Sequence, residues 1–524
     1  MATPILKPNS SWFTPTLTTT KRNLITVINI VDSYTPTDTV TDSWDASLEQ
    51  DGGIMCYLDG TTLTIVGNGS GGIKANEDAS WMFSDINTKD FFKIATTISG
   101  LELIDMSGAV NACRIFDRCQ AVTELNVGGW DLSNATTIDT MFQYCQTLKT
   151  VDVANWNLSK CTDIGWLFNG CLAIEELDVA NWDVSKVTNM KCCFQLEQKA
   201  NKGRPPLTRL DVSKWDTSSC VDMSYMFYGL GHLVELDVSN FDTSKVTTFN
   251  HTFCDNYVLP SVDIRNWDVS SCDSFNAMFN DCMAFKTIDV TGWNTTNVIS
   301  FAQMFEGCEA LEEIVGLHTW NTSNGKNFGE MFRYCYALKE LDLSSFDTRN
   351  ATKAYKHPNS EPGLNYIFGP ENRYLKKITF GRNWTFLGSG DCTNGYLPAP
   401  SADYIENADG LWYDEDGTPY APANIPNLTR ATYYATPVLA AWAHDSKRYM
   451  SLNSMRAYHN LQAAAIEHKF ASIQESVDGK AASDHDHSDI YYTKTEIDNM
   501  ELITVADIDT ICGTTISLSS EVEF

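Results

Sequence analysis

The residues of this 524-residue chain that could do chemistry are a histidine pair near its end and two side-chain types that recur at fixed spacing, aspartate and cysteine. His485 and His487 are separated by one residue, so on an extended segment both imidazoles point to the same side. Three such pairs on a trimer axis would bring six nitrogens together, an octahedral set that suits a first-row transition metal. In a monomer the pair would be a polar linker, and the sequence leaves both alternatives open.

The aspartates belong to a recurring Leu-Asp-Val segment, whose alternation of apolar and polar residues predicts that the carboxylates point outward. Stacked carboxylates repel one another, so water, neighbouring hydroxyls or a bound cation should offset the cost. No spacing matches a known calcium loop. A solvated face and a surface that binds calcium or glycan are both consistent with the pattern. The candidate binding residues are Asp178, Asp211, Asp237, Asp263 and Asp289.

The cysteines include an in-register column whose members are Cys145, Cys171, Cys282, Cys308 and Cys335. Side chains in adjacent repeats would be near enough to form disulfides or to bind a metal. Cys also packs as a small apolar side chain. Because cytoplasmic assembly disfavours disulfides, we expect buried free thiols.

These side chains must be positioned by a short repeated unit, since Trp130, Trp156 and Trp182 follow one another at intervals of 26 residues. Each unit places a Leu-Asp-Val segment before the aromatic residue, and a Met-Phe-x-x-Cys segment after it. The first predicts a half-exposed strand, and the second predicts a short helix or 3₁₀ turn. Trp-Asp-x-Ser predicts a corner capped by its own side chains. The fold class is therefore a repeat solenoid, with parallel strands about 4.8 Å apart on one face.

The flanking segments differ in composition from the repeats. Ile54–Leu58 and Thr62–Val66 flank an Asp59-Gly60 turn, the pattern of a β-hairpin. We predict an extended N-terminal arm with one strand over 1–42, a β-rich cap over 43–110 and the solenoid over 111–395. A second cap over 396–436, a helix over 437–478 and a tail over 479–524 follow.

The helix carries a short apolar seam, formed by Ile466, Phe470, Ile473 and Val477 at the 4-3-4 spacing of a coiled coil. Two heptads hold a coiled coil weakly, so the tail should contribute to oligomerisation. A single helix packed against the second cap is the alternative.

The composition restricts the partners. A net charge of −30 argues against nucleic acid and anionic membrane surfaces, which would repel the chain. No stretch approaches the ~20 apolar residues that a membrane-spanning helix needs. The first residues lack a basic region followed by an apolar run, so we expect no signal peptide. Because the sequence lacks a nucleophile elbow, a P-loop and a zinc-hydrolase helix, we also expect no enzymatic activity.

The repeats resemble the BspA-like leucine-rich repeats, a surface-protein repeat family. The resemblance rests on segments such as Leu177-Asp-Val-Ala-Asn-Trp-Asp-Val-Ser-Lys-Val-Thr-Asn-Met190 and Leu236-Asp-Val-Ser-Asn-Phe-Asp-Thr-Ser-Lys-Val-Thr247. It implies a solenoid with a parallel sheet on one face and a role in adhesion or protein contact.

The tail looks like the ends of bacteriophage fibre proteins, through Asp484-His-Asp-His-Ser-Asp-Ile-Tyr-Tyr-Thr-Lys-Thr-Glu-Ile-Asp498. This resemblance implies a non-enzymatic virion protein, a fibre or appendage subunit on head or tail that is assembled in the host cytoplasm. The arm at 1–42 is then a candidate for attachment to the virion. The implied partners are capsid, portal, neck or tail proteins, a host glycan or protein, and two further copies in a homotrimer. A bacterial cell-surface adhesin is the alternative, and a glycan-degrading tailspike is a less favoured one.

Overall fold

The computed structural model describes residues 3–13, 17–84, 92–197, 205–355, 361–390, 392, 395–441 and 443. The chain divides into two units, Met1–Asp445 and Ser446–Phe524, and the second unit lies outside the described residues. The description below therefore concerns the first unit.

The chain begins with a five-stranded sheet ordered β2-β3-β4-β1-β6. The elements of this region are α1 (Thr19–Arg22), β1 (Val27–Val31), β2 (Val40–Asp45), β3 (Met55–Asp59), β4 (Thr62–Val66), β5 (Ile73–Lys74), β6 (Thr97–Ser99) and β7 (Ile104–Asp105). Short 3₁₀ turns lie at Asn9–Trp12 and Leu101–Leu103. β3 and β4 are antiparallel and joined at Gly60, whose φ is 58°, which confirms the predicted hairpin.

Residues 1–42, predicted as an extended arm, contribute much of this region's core. β1 lies between β4 and β6 and is parallel to both. The Trp12 indole is buried, and its Nε1 donates a hydrogen bond to the Met82 carbonyl over 2.7 Å. Phe13 and Ile28 are also fully buried. The prediction of an arm is wrong for the described residues. Burial of these apolar side chains holds the segment in the core, although many Thr, Ser and Pro residues surround them.

The repeats follow one another in parallel register. An unbroken run of parallel bridges joins Asp78, Asn111, Thr137, Asp163, Asn189, Asp222, Thr248, Ser274, Ser300 and Asn327, one per repeat. Short strands add to it: β8 (Glu124–Leu125), β9 (Thr150–Val151), β10 (Thr287–Asp289), β11 (Glu313–Val315), β12 (Glu340–Leu343) and β13 (Lys377–Phe380). β8 pairs with β9, β10 with β11 and β12 with β13, all parallel. The protein is thus a repeat protein with many short parallel strands, and the handedness of the array stays a prediction.

The predicted strand at each Leu-Asp-Val segment is only partly present. Leu177–Val179 and Leu236–Val238 lie outside the strands, and the middle repeats are joined there by a single bridge, Arg209 to Glu235. The apolar residues nevertheless point inward in these segments, because Val179 and Val238 are fully buried. The alternation of burial persists where the ladder of hydrogen bonds is interrupted.

The interior consists of columns of like side chains. The rings of Trp156 and Trp182 stack with centroids 6.1 Å apart, and those of Phe142 and Phe168 with centroids 5.3 Å apart. Most of the indoles also bond the preceding repeat, as when Trp182 Nε1 donates to the Val153 carbonyl over 2.8 Å, whereas Trp320 Nε1 does not. The columns thus join adjacent repeats by ring stacking and by buried hydrogen bonds.

The Met-Phe-x-x-Cys segments form neither the helix nor the 3₁₀ turn predicted for them. Thr140 and Tyr144 have φ values of 60° and 58°, so the chain takes turns through the left-handed region. The N–H groups of Thr140, Phe142 and Tyr144 donate to the next repeat, over 2.8, 3.0 and 2.7 Å. The intervening N–H groups close local turns. We call the row of left-handed residues the turn edge; its members are Thr140, Trp166, Cys192, Tyr225, His251, Ala277, Gln303 and Glu330.

The cysteines of the described chain are free, and nearly all are buried, which confirms the expected thiols. Cys171 Sγ donates to the Phe142 carbonyl of the preceding repeat over 3.0 Å, and burial raises the pKa of this thiol. Asn256 occupies the same column, and its Nδ2 donates to the Phe227 carbonyl over 2.9 Å. The column therefore supplies a small buried donor to a backbone carbonyl of the preceding repeat.

The array ends at an antiparallel strand. The last elements are β14 (Trp412–Tyr413), β15 (Pro419–Tyr420) and β16 (Ala431–Tyr434), in the sheet order β12-β13-β16-β14-β15. Further 3₁₀ turns lie at Leu317–Thr319 and Pro422–Asn424. β16 pairs antiparallel with β13, so it covers the edge at which another parallel repeat would add.

Candidate binding surfaces

The strand face is the outward side of the segments 124–126, 150–152 and 176–178 in three adjacent repeats. These segments line a shallow, open depression of about 520 Å³. Its lining includes the carboxylates of Glu124, Asp152, Glu176 and Asp178 and no lysine or arginine. At its margin Lys149 Nζ lies 2.9 Å from Glu175 Oε1. The depression therefore presents concentrated negative charge.

The predicted aspartate column lies on this side of the repeats, but its carboxylates also shape the backbone. Asp237 Oδ1 accepts hydrogen bonds from the Ser239 N–H over 3.0 Å and the Ser239 hydroxyl over 2.7 Å. Asp178 and Asp289 accept the N–H two residues ahead, over 3.2 and 3.0 Å. Each aspartate thus closes a turn with one oxygen. The structure leaves their role in binding a prediction.

Asp211 follows the pattern of Asp237: it accepts the Ser213 hydroxyl over 2.7 Å, which lowers its pKa. Asp263 differs, because it is held by the guanidinium of Arg265, at 2.8 and 3.0 Å, and this contact lowers the pKa of the carboxyl. The ion pair of Asp263 is exposed and contributes little to stability. It does occupy both carboxylate oxygens, so Asp263 is less accessible to a ligand than Asp178.

The same device recurs at a second corner of each repeat, where sequence analysis predicts it. Asp183 Oδ1 accepts the Ser185 N–H over 3.1 Å and the Ser185 hydroxyl over 2.6 Å, which lowers the pKa of Asp183. Asp242 lies in the same arrangement with Ser244, at 3.0 Å from its N–H. Trp-Asp-x-Ser therefore forms the capped corner that the sequence predicts. Some of the aspartates in this acidic chain therefore stabilise turns.

A carboxyl pair on the turn edge was not detectable from the sequence. Gln303 Nε2 lies 2.8 Å from Glu306 Oε2 and 3.1 Å from Glu330 Oε2, so one amide joins both acids. Asn280 Nδ2 donates to Glu306 over 3.0 Å, and Arg333 forms an ion pair with Glu330 at 2.7 Å. Burial, followed by the charge of Glu330, raises the pKa of Glu306 to about 8. Because the pair forms between repeats with different residues at these positions, periodicity gives no signal for it.

The remaining predicted site residues lie outside the described residues. They are His485, His487, Ile466, Phe470, Ile473 and Val477. The axial metal ion, the coiled-coil seam and the trimer therefore stay predictions. Within the ranges that the structure describes, no group of three or more His, Cys, Asp or Glu side chains is placed to hold a metal ion. Nor does any helix in that part combine the length and apolar character needed to cross a membrane.

Comparison with known proteins finds similarity in the repeats. Residues 105–205, 203–316 and 286–357 match a family described as a mycoplasma protein of unknown function, DUF285. A leucine-rich repeat protein from Eubacterium ventriosum is similar at 13% identity and a TM-score of 0.25, over 70% of this chain and 98% of that one. A leucine-rich repeat protein from Leptospira interrogans is similar at 11% identity and a TM-score of 0.16, over 52% and 83%. No curated protein matches the chain.

Proposed function

Since residues 105–357 match the DUF285 family, we propose that the chain is a non-enzymatic adhesion scaffold of a bacterial cell surface. In this proposal the repeats form one right-handed solenoid, and the strand face holds a partner protein that presents basic side chains. The observation that carries the proposal is the depression of about 520 Å³, which is lined by four carboxylates and by no basic residue. Charge complementarity of this kind speeds encounter and selects among partners.

The test separates charge from turn geometry. Glu124 and Glu176 are exposed and line the depression, and they lie outside the aspartate turns. The double variant Glu124→Gln/Glu176→Gln should therefore bind less while keeping its fold. The matched control Glu49→Gln/Glu406→Gln removes the same charge from exposed positions elsewhere.

Two measurements apply to the full chain. Binding to the basic protein cytochrome c should weaken severalfold in the first variant, remain unchanged in the control, and fall with added salt. Antibodies against the chain should label intact bacterial cells that produce it. Equal binding by both variants would remove the strand face from the proposal, and a lack of labelling would remove the cell-surface location.

A second candidate is the bacteriophage virion fibre or appendage subunit, supported by the sequence of the tail at 484–498. In that setting the solenoid would face the host, and the segments 437–478 and 479–524 would carry a trimer. Mass spectrometry of purified phage particles tests the location. Light scattering tests the assembly, because the full chain should be trimeric and a chain ending at Thr436 should be monomeric.

A further inference from the structure

A group of tyrosines surrounds an arginine at the end of the array opposite the strand-face depression. The Arg373 guanidinium lies over the rings of Tyr336 and Tyr404, at 5.0 and 4.9 Å from their centroids. Its NH1 donates to the Tyr404 hydroxyl over 3.0 Å. The ring of Tyr374 meets that of Tyr404 edge-on, with centroids 5.6 Å apart. These contacts hold a long cationic side chain in one orientation.

A second arginine extends this group. Arg333 lies over the rings of Tyr334 and Tyr366, at 4.6 and 5.1 Å. The rings of Tyr334 and Tyr336 are 6.3 Å apart, so the two groups are contiguous. We call the five tyrosines and two arginines the tyrosine–arginine patch. It lies in the last repeats and in the segments that follow them, several repeats beyond the strand-face depression.

The two arginines differ in their charge balance. Arg333 forms an ion pair with Glu330 at 2.7 Å. Within the described part of the chain, no carboxylate lies within 4.0 Å of the Arg373 guanidinium. A planar guanidinium has five N–H donors in a fork that matches a carboxylate. In a chain of net charge −30, Arg373 therefore offers an unneutralised positive group that a ligand carboxylate would complete.

The rest of the patch is aromatic and polar at once. Tyr366, Tyr374 and Tyr404 are 37%, 42% and 39% exposed, so their rings can be reached by a ligand. The hydroxyls of Tyr334, Tyr336, Tyr366 and Tyr374 make no hydrogen bond to any described residue. The tyrosines therefore fit a ligand that has flat C–H faces and a rim of hydroxyl groups.

We propose that the tyrosine–arginine patch binds a carboxylated polysaccharide, a polymer of uronic-acid type. Arg373 pairs with a sugar carboxylate, the tyrosine rings lie against the sugar faces, and the tyrosine hydroxyls exchange hydrogen bonds with the sugar hydroxyls. The patch uses none of the strand-face residues, so it is independent of the proposed adhesion to a basic protein. The strand face itself would repel such an anionic polymer.

The experiment measures binding of the full chain to three probes at physiological ionic strength: polygalacturonate, alginate and hyaluronan. We expect at least one of the three to bind. If polygalacturonate binds, its neutral methyl ester should bind at least tenfold more weakly, because it lacks the carboxylates. Arg373→Gln should weaken binding about tenfold or more, as expected for loss of a charge-assisted hydrogen bond. Tyr374→Ala should weaken it severalfold.

Controls distinguish this site from general charge attraction and from the strand face. Arg382→Gln removes one exposed positive charge outside the patch, and should leave binding unchanged. Glu124→Gln/Glu176→Gln should also leave it unchanged. Circular dichroism shows whether each variant is folded. The proposal is overturned if no probe binds, if Arg382→Gln acts like Arg373→Gln, or if polyglutamate binds as tightly as the best polysaccharide, which would indicate an acidic peptide ligand.

Discussion

The interior columns and the turn edge come from the same repeated unit, but they differ in how closely the repeats agree. In the interior, Trp or Phe recurs at one position and Phe at another, because each ring must stack on the ring of the next repeat. On the turn edge Trp166, Tyr225, His251 and Gln303 occupy equivalent positions. What these residues share is a left-handed backbone, which non-glycine residues adopt at a cost. The interior thus constrains side chains, whereas the turn edge constrains the backbone and leaves the side chains free to differ.

Only part of the turn edge can contact a partner, because the side chains of Thr140, Cys192, His251, Ala277 and Glu330 are buried. Those of Trp166, Tyr225 and Gln303 are partly exposed and accessible to a ligand. Arg333 and Tyr334 lie at or beside the turn edge, as do Glu306 and Glu330. The following changes, from the largest expected effect to the smallest, test whether the two regions differ as described.

The largest effect is expected in the tryptophan column. Trp182→Asp places a carboxylate where a ring stacks on Trp156 and Trp215, so the free energy of unfolding should fall by about 5 kcal/mol or more. Several repeats should melt together, as measured by thermal and urea unfolding. Trp182→Phe is the control: it keeps the ring, as in Phe241, and should lose only about 1–2 kcal/mol with the bond to Val153. Wild-type stability in Trp182→Asp would show that the column is not core.

The carboxyl pair predicts a pH dependence. The pKa of Glu306 is raised from 4.5 to about 8, so between these values the folded chain keeps a proton that the unfolded chain has released. Stability should therefore fall as pH rises through this window, by up to about 5 kcal/mol from this group, and level off above it. Glu306→Gln should remove that part of the slope in urea unfolding measured from pH 5 to pH 9. An unchanged slope would contradict the assignment.

The cysteine column predicts a smaller loss. Asn256→Ala removes the donor to two buried carbonyls, those of Phe227 and Phe253, at 2.9 and 2.6 Å. The cost should be about 2 kcal/mol in urea unfolding. Asn256→Cys should recover most of it, because Cys282 makes the equivalent bond in the next repeat, over 3.1 Å to Phe253. If the two variants are equally unstable, the thiol does not replace the amide as donor at this position.

The aspartate turns predict the smallest effect. Asp237→Ala removes an exposed acceptor that closes a turn onto Ser239, and should cost about 1 kcal/mol. Asp237→Asn keeps the acceptor and should cost less, although it removes the same charge. A larger loss in the asparagine variant would mean that the charge, and not the turn, is what the repeat uses.

The sequence predicts those structural features that every repeat must share. The tryptophan and cysteine columns, the outward aspartates and the Asp-x-Ser corners follow from the 26-residue spacing of residues such as Trp130 and Trp156. The path of the Met-Phe segment does not, since helical spacing of apolar residues also arises when alternate N–H groups bond the next repeat. Interactions between unlike repeats, such as Gln303 with Glu306 and Glu330, leave no periodic trace. The prediction of an arm over 1–42 was wrong because it relied on the abundance of Thr, Ser and Pro there, whereas a few large apolar residues determine the packing.

The backbone ladder has a consequence for how this gene can change. Phe142 donates to Leu167 and Phe168 to Cys193, each spanning 25 residues, whereas Phe194 donates to Met226 across the longer segment between them. Each repeat thus meets equivalent donors and acceptors on both sides. Unequal recombination that deletes or duplicates one whole unit would reconnect matching partners and leave both caps in place. The fold should therefore tolerate inherited changes in the number of repeats. Related genes should differ by whole repeats more often than by parts of a repeat.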